Sequence, residues 1–113
     1  MKKFLALYMA PAVAMEQMMK DSSTEDMQNA IKLWEEWIEK NSTSLIDGGD
    51  PLGKTKQASK DGITDIKNDI GGYSIVQADS HEEAMKLFGP EHPHLSIAGA
   101  TIEVMEIIPM PVA

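Results

Sequence analysis

Two histidines separated by one residue, His92 and His94, lie in the proline-punctuated run His-Pro-His-Leu. An imidazole titrates near neutral pH, so either ring can serve as general base or acid. In an extended segment, residues two apart point to the same side, which would turn both rings toward one substrate. Each also has a plainer reading, as a cap on a backbone carbonyl or as loop packing. Glu103 alternates with Val104 in a largely apolar strand, Thr101–Ile108. Facing a cavity, its carboxylate needs a partner such as a histidine or Tyr73, and burial would lift its pKa. At a sheet edge it is simply solvated. Tyr8 and Tyr73 can each present a phenol to a ligand, or pack in the core with the hydroxyl satisfied. Asp47 and Asp50 bracket Gly48-Gly49. Turn chemistry accounts for both, and Asp50 is also placed to overlook a pocket mouth. The expected set is therefore His94, His92 and Glu103 for catalysis, with Tyr8, Tyr73 and Asp50 for ligand binding.

A nitrogen-and-oxygen metal set can be assembled from His92, His94, His81 and Glu91 or Glu103. His-x-His spacing alone is unspecific, and no metal is assigned. The glycine pairs Gly48-Gly49 and Gly71-Gly72 lack the spacing of phosphate-cradling loops. No serine sits in a nucleophile elbow. No organic cofactor is expected.

Composition narrows the partners. The 113 residues carry a formal net charge of -8, and such a field repels nucleic acid and anionic lipid. All ten cationic residues are lysines. The planar fork that grips carboxylates and phosphates is absent, so an anionic ligand would depend on lysine or backbone amides. Cysteine is also absent, which excludes disulfides and thiolate chemistry and fits a cytoplasmic protein. Lys2-Lys3, the run Phe4–Met9 and Ala12-Val13-Ala14 imitate a secretory signal. The apolar core is short and Pro11 interrupts it, so a buried first strand is the expectation. No run is long enough to span a membrane.

One domain over residues 1–113 is expected at this length. Lys3–Met9 reads as a central strand, and Pro11 suits the first turn of a short helix. Met15, Met18 and Met19 share a face of that helix, as core filler or as a flap over a pocket. Ser22 and Glu25 suggest a capping box. It opens a helix whose apolar residues, Met27, Ala30, Ile31, Trp34, Trp37 and Ile38, recur every three or four positions up to about Asn41. Both tryptophans read as core or dimer interface. Ser44–Asp47 suggests a short strand. Leu52–Ser59 suggests an exposed edge strand blunted by Lys54 and Lys56. Asp61-Gly62 signals a hairpin turn. In Tyr73–Ala78, Ser74, Val76 and Ala78 form a small face suited to a helix, while Tyr73, Ile75 and Gln77 form a face suited to a semi-polar cavity. Ser80 and Glu83 cap a helix ending at Gly89-Pro90, with Ala84, Met85 and Phe88 buried. The order predicts an α+β, ferredoxin-like split βαβ fold with an antiparallel sheet. Helices cover one face, and a second subunit is the economical cover for the other.

From about Asp61 to Met110 the chain resembles the YCII-related family of dimeric α/β barrels, in particular its DGPF subgroup. Asp61-Gly62, the acidic lysine-containing stretch through Asn68, Gly71-Gly72-Tyr73, Pro93-His94-Leu95 and Ile102-Glu103-Val104 carry the resemblance. Ile63-Thr64 stands where the subgroup has Pro-Phe, and the first long helix lacks the histidine of a His–Asp pair proposed in other members. The resemblance implies a homodimer and lyase, isomerase or dehalogenase-type proton transfer, with His94 as base. The expected function is binding a small, apolar or aromatic molecule in a hollow lined by Tyr8, Tyr73, His94 and Glu103. Two rival expectations are a non-catalytic metabolite-binding or regulatory module and a cofactor-independent monooxygenase.

Overall fold

The computed structural model describes residues 1–111, leaving aside the side chain of Met19, so the expectation for that side chain lies outside the described residues. In chain order the elements are β1 (Lys2–Met9), α1 (Ala12–Asp21), α2 (Thr24–Lys40), β2 (Leu45–Asp47), β3 (Thr55–Ser59), β4 (Gly62–Ile66), β5 (Ile70–Ala78), α3 (His81–Lys86), a 3-10 turn (Pro93–Ser96) and β6 (Thr101–Ile107). The main sheet runs β2-β5-β1-β6, and its pairings are antiparallel. This is the ferredoxin-like order: β1 lies between the two strands of the second half, and β2 is set at the far edge. The fold is α+β, as the element order predicts. β3 and β4 form a separate two-stranded sheet. No helix among the described residues is long and apolar enough to cross a membrane.

Alternation along the strands divides the sheet into two unlike faces. In β1, Phe4, Ala6 and Tyr8 are buried, whereas Leu5, Leu7 and Met9 are half-buried. In β5, Gly72, Ser74, Val76 and Ala78 are buried and Tyr73, Ile75 and Gln77 half-buried. The small β5 face receives the helices, as its side-chain sizes predict. Phe4, Ala6, Tyr8, Val76, Ala78 and Val104 meet Trp37 of α2, Ala84 of α3 and Phe88 in one core. Trp37 donates its indole N–H to the Leu87 carbonyl at 2.8 Å, tying α2 to the segment after α3.

Two local expectations shift. The capping box of α2 is Ser23 with Asp26 rather than Ser22 with Glu25, and both of its hydrogen bonds are made, at 3.1 Å. Ser22 instead ends α1, donating its N–H to the Met18 carbonyl. α3 stops at Lys86, and Met85 turns outward, 42 % exposed, while Ala84 and Phe88 are buried. Six residues make fewer than two turns, too short for a third position to reach the core. β1 is central in the sheet, but only its helix-facing side is covered within this chain.

Candidate functional site

The register decides which side chains can meet. Tyr8 pairs with Gly72 and Ile102, on the helix-covered face. One position back, Leu7 pairs with Tyr73 on one side and Glu103 on the other. Partners directly opposite share a face, so Tyr73, Leu7 and Glu103 form one row across three strands of the open face. Strand spacing sets Tyr73 and Glu103 roughly 10 Å apart, backbone to backbone. The expected hollow uniting Tyr8, Tyr73, His94 and Glu103 is therefore not formed within the chain. The sheet stands between Tyr8 with His94 and Tyr73 with Glu103.

On the covered side both histidines are buried, His92 at 4 % and His94 at 5 % exposure. Pro93 begins the 3-10 turn at its first position, so the pair is not extended, and both rings pack against Tyr8, with centroids 5.1 and 5.3 Å away. His92 caps that turn: its Nδ1 accepts the His94 N–H at 3.1 Å. The accepting Nδ1 leaves the neutral ring's proton on Nε2, which is buried without a hydrogen-bond partner. Aromatic rings surround it. Tyr8 stacks on the imidazole with centroids 5.1 Å apart, and Trp34 and Trp37 stand at steep angles to it, at 4.7 and 4.5 Å. Burial, with a smaller contribution from His94, pushes the His92 pKa down to about 4. His94 donates Nε2–H to the Met9 carbonyl at 2.9 Å, pinning the turn to the end of β1. His81 does the same to the Val104 carbonyl at 2.8 Å. Each histidine is thus used as a structural clip. Among the described residues no three His, Asp or Glu groups converge to hold a metal ion.

Tyr8 is held equally firmly. Ser74 spends its only proton on the Gly48 carbonyl at 2.8 Å. The Tyr8 hydroxyl, 2.7 Å from the Ser74 oxygen, must then be the donor. Burial pushes the Tyr8 pKa up to about 12, against the opposing effect of that hydrogen bond. Tyr8 is a core tyrosine with a satisfied hydroxyl.

The open face holds the solvent-accessible chemistry. Tyr73 donates its hydroxyl to Asp47 Oδ2 at 3.2 Å. Asp47 Oδ1 accepts the Gly49 N–H at 2.8 Å, so one carboxylate closes the turn and orients the phenol. The hydrogen bond to Asp47 and the Asp47 charge raise the Tyr73 pKa, with smaller contributions in the same direction from desolvation and the Asp50 charge. Tyr73 is protonated at neutral pH, and its free lone pairs are acceptors. Asp50 is exposed, and its backbone carbonyl approaches Gly72 so closely that a Cβ there would lie 3.2 Å away. Around these groups lie Leu5, Leu7, Ile75 and Met105. At the β5 entry end, α1 and the hairpin wall an open cleft of about 820 Å³. Met15 and Ile70 line it, with Leu52, Ile66 and the Lys54 and Lys67 side chains. Met15 reaches the open-face side of Gly71, where an added Cβ would meet its sulfur at 3.2 Å. The methionine expected either as core filler or as a flap thus sits at the cleft wall.

Asp47 is the member that sequence reasoning passes over as a turn residue. The turn role is real, and the second oxygen serves Tyr73. The available signal is Asp-Gly-Gly on one edge strand and Gly-Gly-Tyr on the next, two flat backbones able to approach. Gly49 has φ +81° and no room for a Cβ, which would fall 1.5 Å from the Tyr73 carbonyl oxygen.

No protein-family model matches the chain, and no curated protein is detectably similar to it. Among solved structures the chain is similar to 5-chloro-2-hydroxyhydroquinone dehydrochlorinase from Burkholderia phenoliruptrix AC1100, in complex with 2,5-dihydroxybenzoquinone. The two share 14% identity over 91% of each chain, with a TM-score of 0.47. That likeness concerns the chain path alone and lends no residue role or ligand to this protein.

Proposed function

We propose that this chain is one half of a homodimer that binds a small, largely apolar or aromatic molecule against the open face of its sheet. The observation that carries the reading is the row across that face. Leu5, Leu7 and Ile75 offer half-buried apolar surface, and the Asp47–Tyr73 pair and Glu103 stand at its sides. Pockets for small molecules combine an apolar wall with a few placed polar groups. The polar groups here accept hydrogen bonds. They favour a neutral ligand carrying hydroxyl or amine donors over a carboxylate, in keeping with the absence of arginine.

The acid–base step implied by the YCII-related resemblance falls, in this geometry, to Glu103 and the Asp47–Tyr73 pair rather than to an imidazole. The His94 ring is committed to the Met9 carbonyl, and His92 has no hydrogen-bonded route to the open face. Catechol and benzoate are suitable probes for calorimetric titration. Catechol should bind saturably and benzoate at least tenfold more weakly. Tyr73→Phe should weaken catechol about five- to tenfold, the worth of roughly one hydrogen bond. His94→Ala should leave the affinity of the folded fraction unchanged. Loss of binding in His94→Ala with none in Tyr73→Phe would move the site to the covered face.

A further inference from the structure

The β3–β4 hairpin projects from the main sheet and meets the body at its base, where Thr55, Lys56, Asp65 and Ile66 line the cleft beside α1. It forms its own sheet, and every residue from Lys56 to Asp65 is exposed. Neither of its faces can make a core. One side carries the Ala58–Ile63 pair beside Lys56–Asp65; the other carries Thr55, Gln57, Thr64 and Ile66. Ile63, near the tip, is 74 % exposed. A lone two-stranded hairpin is marginal in water, so a surface to lie on would add what its own pairing lacks.

Charge identifies that surface. Residues 52–69 hold four lysines against three aspartates, while the rest of the chain holds six lysines against fifteen carboxylates. The paired strands and their turn are balanced, Lys56 and Lys60 against Asp61 and Asp65, and the flanking Lys54, Lys67 and Asp69 leave the whole arm with one positive charge against a strongly anionic body. Lys56 bonds Asp65 at 2.9 Å, and Lys67 lies 3.9 Å from Glu16. Among the described residues, Lys54 and Lys60 have no carboxylate within ion-pair distance. The overall shape agrees. The chain measures 52 × 44 × 19 Å with a radius of gyration of 15.8 Å, against about 13 Å for a compact chain of this length.

We infer that the β3–β4 hairpin is an arm that clasps a second copy of this chain, laying Lys54 and Lys60 against that copy's carboxylates. A two-fold axis makes the exchange reciprocal, each anionic body receiving one cationic arm. The contact rests on the homodimer of the proposed function and is additional to any cover that the second copy gives the open sheet face, and the experiment separates the two.

Sedimentation velocity would be run on the wild type, on Lys54→Glu/Lys60→Glu and on the sheet-face variant Leu5→Lys, at 50 and 500 mM NaCl. Circular dichroism would confirm each fold. The wild-type dimer should weaken at least fivefold at the higher salt, because exposed ion pairs are screened. The double charge reversal should weaken it at least tenfold at 50 mM. Carbodiimide coupling of mixed 14N- and 15N-labelled protein should join Lys54 or Lys60 to carboxylates of the other isotope. Coupling within one isotope only, or an unchanged affinity after charge reversal, overturns the arm; dissociation of Leu5→Lys would then leave sheet pairing standing. A wild type that stays monomeric yet binds polyglutamate through the hairpin assigns the arm to a different acidic partner and overturns the second copy. A monomer that binds neither removes both contacts.

Discussion

His92 is the residue on which the covered side turns, because a buried imidazole in an aromatic nest must stay neutral. Its folded pKa of about 4 lies below the ordinary value of 6.5. The unfolded chain therefore binds a proton that the folded chain refuses as pH falls through that window. The contribution to stability is complete above about pH 6.5 and is lost progressively toward pH 4. It amounts to about 3 kcal/mol at most. Urea unfolding at stepped pH should show the wild type losing stability across that interval, and His92→Phe losing less by about that amount. Parallel pH profiles for the two proteins would contradict the assignment. Gly49 is the second sensitive position. Gly49→Ala adds a methyl group onto the Tyr73 backbone at a positive φ, and should cost about 3 kcal/mol by denaturant midpoint. Residue types alone point to both histidines and both tyrosines. They do not reveal that Pro93 folds the His92–His94 segment into a 3-10 turn, turning two candidate bases into clips.

At the scale of elements, local rules locate more than they join. Alternation in β5 separates Ser74, Val76 and Ala78 from Tyr73, Ile75 and Gln77, and the helices do lie on the small set. The α2 stripe places Trp37 in the core. Period-two reasoning says which residues share a face within one strand, but only register says which faces unite between strands. Tyr8 opposes Gly72 and not Tyr73, a difference of one residue, and that is why the expected four-residue hollow divides. The α2 cap likewise lies one residue from its expected place, because consecutive serines offer two capping frames and the third-position carboxylate fits both. The frame is testable. Ser23→Ala should cost about 1 kcal/mol, a fall of roughly 4–6 °C in melting temperature, while Ser22→Ala should change it by less than a quarter of that.

At the scale of the whole molecule, one sheet face is packed and the other is not. Leu5, Leu7 and Ile75 remain half-buried, and Met105 and Ile107 are 40% and 39% exposed beside them. Apolar side chains recurring across three neighbouring strands make a contiguous patch, the kind that marks an interaction surface. Single-chain periodicity can show that this face exists, but it carries no information about what covers it. The most direct test is the mass of the protein in solution by sedimentation equilibrium, compared with that of Leu5→Lys at the centre of the patch. A homodimer closed over this face has twice the 12.4 kDa chain mass for the wild type at micromolar concentration, and a still-folded Leu5→Lys should fall to the single-chain mass. A wild type at 12.4 kDa throughout, or a Leu5→Lys that keeps the doubled mass, would contradict it.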